Sequence, residues 1–259
     1  MPTPELKNSF PSQPPSQQEV NGFVDAAGKG DASAVTAFLN RYGGFINQKN
    51  AAGDTALTRA AKQGQENMAA LLLANGAQIE EKGDNRKTPL LWAAHNGHPK
   101  TVEVLLKNNA ALDAEYNEGI TPLIIAAWMG HTDIVGLLLE KGSAIDAGTM
   151  NGVTSLMLAA AWGRTDTVEL LLDKGAVIHS MDRAGRTALT HARSAWGTET
   201  AGLIERWPEM QQHRKEKELA LAKKRAAELA EARAKELAAA RLEKLKNRRP
   251  LKPPFKKKM

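Results

Sequence analysis

One threonine recurs every 33 residues, at Thr55, Thr88, Thr121, Thr154 and Thr187. Glycines keep the same interval at Gly64, Gly97, Gly130 and Gly163, as does the series Gly76, Asn109, Gly142 and Gly175. No insertion or deletion interrupts four successive units. A unit of this size cannot bury its own apolar side, so a fixed period in the range of about 20 to 50 residues means a stack of similar units.

Inside each unit the residues describe two short helices. Thr88 or Thr121 can cap a first helix through its hydroxyl, and the following Pro89 or Pro122 occupies the first helical position, where its missing N–H has no partner to lose. Leu123, Ala126 and Ala127 supply a packed side, and Gly130 ends the helix. A second helix is predicted from about Thr132 to Glu140, with Asp133 placed to favour the dipole. Ile134, Val135, Leu137, Leu138 and Leu139 make it too apolar to stand exposed, so stacking is obligatory. Gly76, Asn109, Gly142 and Gly175 follow the second helices, where a left-handed residue stops them.

The motif Gly-x-Thr-Pro-Leu-x-x-Ala-Ala-x-x-Gly-His stands at Gly119 to His131, with close versions at Arg86 to His98 and Gly152 to Arg164. An ending Leu-Leu-Leu-x-x-Gly-Ala stands at Leu71 to Ala77 and Leu170 to Ala176. In these residues the chain resembles the ankyrin repeat family. The resemblance implies an all-α solenoid of about six units over residues 21–207, the first and last being degenerate caps. Three departures stand out. Thr58, Leu91, Ile124, Met157 and Thr190 occupy the position where the family usually has His, which removes that residue's hydrogen bond to the neighbouring Thr. Arg86 replaces a turn glycine, which argues against left-handed geometry in the third unit. Trp196 stands where the last unit should have its helix-ending glycine.

The flanks differ from the repeats. Residues 1–20 hold five of the twelve prolines, together with several Ser and Gln, and read as a disordered leader. From Pro208 onward stand 17 of the 35 basic residues and 7 of the 29 acidic ones, a net of +10, which leaves −4 for residues 1–207. Pro208 is expected to interrupt the chain. Residues 208–247 are rich in Ala, Glu, Lys, Arg and Leu and predict a long charged helix. Its leucines do not gather on one stripe, which favours a solvated single helix over a coiled coil. Residues 248–259 read as an unstructured basic tail, with Arg248, Arg249, Lys252, Lys256, Lys257 and Lys258 as its electrostatic contacts. Three roles are open to it: a solubilising end, weak contact with nucleic acid or anionic lipid, or a targeting address.

Signatures of catalysis are missing. There is no phosphate loop, dinucleotide fingerprint, nucleophile elbow or metalloprotease helix. Without cysteine, neither a disulfide nor a thiolate metal site can form. His98 and His131 align in successive units, but helices stacked roughly 8–10 Å apart hold short side chains too far apart to share a metal. No enzymatic role and no cofactor are expected. Absence of a signal-peptide pattern and of a long apolar run points to a soluble, cytoplasmic chain, which is expected to be monomeric.

By resemblance, partner specificity lies in the turn before each first helix and in the two residues before its closing glycine, on the concave face. These positions are Asp54, Lys62 and Gln63 in the second unit, and Lys87, His95 and Asn96 in the third. The fourth unit gives Asn117, Glu118, Ile120, Trp128 and Met129, and the fifth Met150, Asn151, Val153, Ala161 and Trp162. Apolar side chains at positions that the resemblance implies are exposed make the fourth and fifth units the expected grip on a protein partner. Trp92, one position off this set, reads as core.

Overall fold

The structure, a computed structural model, describes residues 13–194 and 197–246, with side chains as far as 242. It divides into two units between Glu205 and Arg206.

The first is built of helix pairs: α1 (Gln17–Lys29) with α2 (Ala32–Tyr42), α3 (Ala56–Lys62) with α4 (Glu66–Ala74), and α5 (Pro89–Asn96) with α6 (Pro99–Lys107). The series continues with α7 (Pro122–Met129) and α8 (Thr132–Glu140), α9 (Ser155–Ala161) and α10 (Thr165–Asp173), then α11 (Ala188–Ser194) and the start of α12 (Thr198–Lys246). The first helices α1, α3, α5, α7, α9 and α11 pack each on the next, while α4, α6, α8 and α10 form a second row beside them.

The period explains both rows. Leu57, Leu90, Leu123 and Leu156 are buried in successive first helices, and Leu72, Leu105, Leu138 and Leu171 in successive second helices. Each contributes roughly 1.5–3 kcal/mol from removal of apolar surface. Beside the first column the paired alanines Ala60 and Ala61, Ala93 and Ala94, Ala126 and Ala127, and Ala159 and Ala160 are fully buried. Their small side chains let the first helices approach closely.

The helix ends follow the sequence. Oγ1 of Thr55, Thr88, Thr121 and Thr154 accepts the backbone N–H of Thr58, Leu91, Ile124 and Met157 at 3.1–3.4 Å. Asn109 is left-handed with φ 64°, matching Gly76, Gly142 and Gly175. The missing family His is partly replaced: Thr58 Oγ1 accepts from the Thr55 N–H at 2.8 Å, and Met157 Sδ is 3.5 Å from the Thr154 nitrogen.

Three expectations need correction. Arg86 keeps the left-handed turn, with φ 58° beside Asn85 at 54°. That geometry costs roughly 1–2 kcal/mol per non-glycine residue. The turn is held by Arg86 N–H donating to the Gly83 carbonyl at 3.1 Å and by Asp84 N–H donating to Asp54 Oδ1 at 3.0 Å. The first helix begins at Gln17, inside the stretch read as leader, because Ser16 and Glu19 form a reciprocal cap. Residues 1–12, and Trp196, lie outside the described residues.

Helix α12 runs through Pro208 without a break. The helix-forming residues on either side outweigh the lost N–H and ring clash, a penalty of about 3 kcal/mol. In the second unit Leu219, Leu221, Leu229, Leu237 and Leu242 are all exposed. No helix among the described residues is long and apolar enough to cross a membrane.

Candidate functional site

Two features set the fourth and fifth units apart. The first is a shallow hollow of about 460 Å³ lined by Asn117, Glu118, Ile120 and Met150. All four come from loops before first helices. The Glu118 carbonyl accepts the Met150 N–H at 2.7 Å, and Glu118 Oε2 accepts from Asn151 Nδ2 at 3.1 Å, so the two loops are tied together. Asn117 is left-handed with φ 46°, and Tyr116 and Ile120 exchange backbone hydrogen bonds at 2.9 Å to close their turn. Val153 is half-buried behind them, its N–H held by Thr149 Oγ1.

The second feature is aromatic. Trp128 in α7 and Trp162 just after α9 stand with ring centroids 6.0 Å apart and planes inclined by 48°. Such a tilted pair contributes about 0.5–1.5 kcal/mol beyond area burial. Trp162 is nonetheless 45% exposed and Met150 60% exposed, while Trp128 and Met129 are half-buried. Register explains the diagonal pairing: Trp128 aligns with the small Ala161, and Met129 with Trp162.

The end of α7 is fixed from the next unit. Arg164 Nε donates to the Trp128 carbonyl at 3.2 Å. At the same position one unit earlier, His131 Nε2 is 3.1 Å from the His95 carbonyl, and before that His98 Nε2 is 3.2 Å from the Lys62 carbonyl. Gln65 Nε2 reaches the Gly28 carbonyl at 3.3 Å. A carbonyl only accepts, so both histidines carry their proton on Nε2. These four residues are staples between units. Their signal was legible: each is a donor directly after a left-handed glycine, at a fixed 33-residue step from Gln65 to Arg164. Among the described residues no cluster of His, Cys, Asp and Glu could hold a metal.

The third unit differs from expectation. Lys87 is only 7% exposed, its Nζ 4.4 Å from the Trp92 ring centroid and 4.8 Å from that of Tyr116. The expectation of an exposed loop residue fails because the side chain lies against the ring of Trp92 in the following helix and that of Tyr116 in the next loop. Burial, followed by the charge of Lys62, holds its amine below the usual lysine range, against the opposite pull of Asp84. His95 and Asn96 are half-buried and occupied internally. Asn96 Nδ2 donates to the Lys62 carbonyl at 2.7 Å, and His95 Nδ1 lies 2.7 Å from Asn96 Oδ1. Trp92 is buried, as expected of core. The basic residues Arg248, Arg249, Lys252, Lys256, Lys257 and Lys258 lie outside the described residues.

A family model described as "Ankyrin repeats (3 copies)" matches residues 23–116, 76–151 and 110–182. The chain belongs to the ankyrin repeat family. No curated protein matches it. Ankyrin repeats are generally protein–protein interaction modules, and proteins built from them are typically non-catalytic scaffolds. In ankyrin terms, the hollow lies on the loops before the first helices of the fourth and fifth repeats, and the tryptophan pair at the ends of those helices.

Proposed function

We propose that the chain is a non-catalytic adaptor that holds a partner protein on the loop and first-helix face of its fourth and fifth repeats. The observation that carries this reading is the Trp128–Trp162 pair, held by ring contact, with the Trp128 backbone fixed by Arg164, yet leaving Trp162 45% exposed. A large apolar ring fixed in place before binding loses little side-chain freedom on contact, and such residues dominate binding energy. Met150, Ile120 and Met129 extend the apolar surface, and Asn117 and Glu118 give it a polar edge. The scaffold supplies rigidity; the substituted positions supply specificity.

Affinity capture tests the proposal. The intact chain and the Trp128→Ala/Trp162→Ala variant are compared as baits under identical conditions, with thermal unfolding measured on both. Proteins retained by the intact chain and lost from the variant, at similar melting temperatures, support it. Equal capture by both would remove this face from the function.

A further inference from the structure

We infer that Lys62, Lys87 and the indole of Trp92 form a receiving site for a carboxylate side chain of the partner. The inference rests on the protein-binding reading above and gives that partner a chemistry. Lys62 ends α3, Lys87 precedes α5 and Trp92 lies within α5, so the site is assembled from two repeats. Lys62 Nζ stands 4.2 Å and Lys87 Nζ 4.4 Å from the centroid of the same ring.

Two ammonium groups against one ring repel each other and are incompletely compensated. Lys87 as a whole is only 7% exposed, and among the described residues none gives its ammonium a hydrogen bond or an ion pair. Aromatic faces attract a cation but accept no full complement of its three N–H donors. The nearby carboxylate, Asp84, lies 3.9 Å from Lys62 and already accepts from Asn85 Nδ2 at 3.2 Å. Trp92 Nε1 is buried without a hydrogen-bond partner. One incoming carboxylate would answer both cations at once. Because the Lys87 ammonium already lies against the Trp92 and Tyr116 rings, ordering it costs the complex little. Lys62 and Lys87 stand at positions of the same kind that carry Trp128 and Ile120 two units and one unit later, so the acidic and apolar contacts would fall on one face.

The test uses the intact, nitrogen-15-labelled chain, with the Trp92 indole N–H resonance assigned through Trp92→Phe. Sodium glutarate is titrated against sodium chloride at matched ionic strength. A saturable shift is expected with glutarate only, lost in Lys87→Met and in Lys62→Met and retained in Trp128→Ala/Trp162→Ala. Melting temperatures of the lysine variants establish that they fold; Lys62, the more exposed of the two, serves if Lys87→Met does not. No shift beyond the chloride control, or one that survives Lys62→Met, overturns the inference. Stronger binding of inorganic phosphate than of glutarate overturns the carboxylate assignment. Since the tryptophan variant keeps the indole readout, failure of the partner-binding reading is distinguishable from failure of this one.

Discussion

Trp128 and Trp162 meet across the interface between two repeats, centroids 6.0 Å apart, although they occupy different positions in their repeats. The contact exists because Ala161 leaves room where a second Trp128 equivalent would stand. One ring is half-buried and its partner 45% exposed, so the pair spends part of its apolar surface on solvent.

Position in the repeat therefore decides what removal of a tryptophan does. Trp162→Ala should lower unfolding free energy by about 1–2 kcal/mol, mostly the lost ring contact. Trp92→Ala, at a site only 6% exposed, should cost about 3–5 kcal/mol. Urea unfolding of both variants checks the ordering, and equal losses would place Trp162 in the core.

Glycine substitutions should separate two costs. Gly97 has φ 75°, and a Cβ there would lie 2.6 Å from the His131 ring. Gly142 has φ 98° with open space around the same added atom. Gly142→Ala should show only the left-handed backbone penalty of about 1–2 kcal/mol, and Gly97→Ala clearly more. Thermal unfolding of the two variants supplies the comparison.

The repeat positions and caps were legible because they depend on local chemistry repeated at a fixed step. Thr caps, Leu columns and the left-handed Asn109 follow from residue type alone. What escaped depends on two repeats at once. Lys87 lies against Trp92 and Tyr116, and Asn96 turns its amide back to Lys62 in the preceding repeat. Pro208 misled for another reason: a local breaker lies within a segment whose summed helix propensity exceeds its cost. The hollow joins loops from neighbouring repeats, and its individual residues were legible while their shared cavity was not.

The staple position makes an interchangeability prediction. Arg164 and His131 each give one hydrogen bond to a carbonyl of the preceding repeat. His131→Arg should therefore be tolerated, whereas His131→Leu should lose about 0.5–1.5 kcal/mol and leave the His95 carbonyl without that donor. Denaturant unfolding of both variants distinguishes them.

Acid should loosen the last repeat through Asp182. Its carboxylate accepts the Arg186 and Ala184 N–H groups, and Oδ2 lies 2.9 Å from both His191 Nε2 and Arg186 Nε. The Arg186 backbone bond leads in holding it well below the usual carboxylate range, with His191, the Arg186 side chain and Ala184 adding to it against burial. A lowered folded-state value means that this stabilisation is present above the unfolded carboxyl's pKa, about 4, and is lost as pH falls below it. Asp182→Asn should be less stable than the parent chain at pH 7, with the gap closing towards about pH 2. A gap independent of pH would contradict the assigned charge role.

Binding energy at the paired rings is measured most directly by calorimetry with a partner recovered on the intact chain, comparing it with Trp128→Ala/Trp162→Ala. A weakening of at least about thirtyfold is expected, corresponding to about 2 kcal/mol or more. The melting temperature should meanwhile fall by no more than about 4 °C. Unchanged affinity, or affinity lost only alongside a collapse in melting temperature, would contradict a partner-gripping role for the two rings.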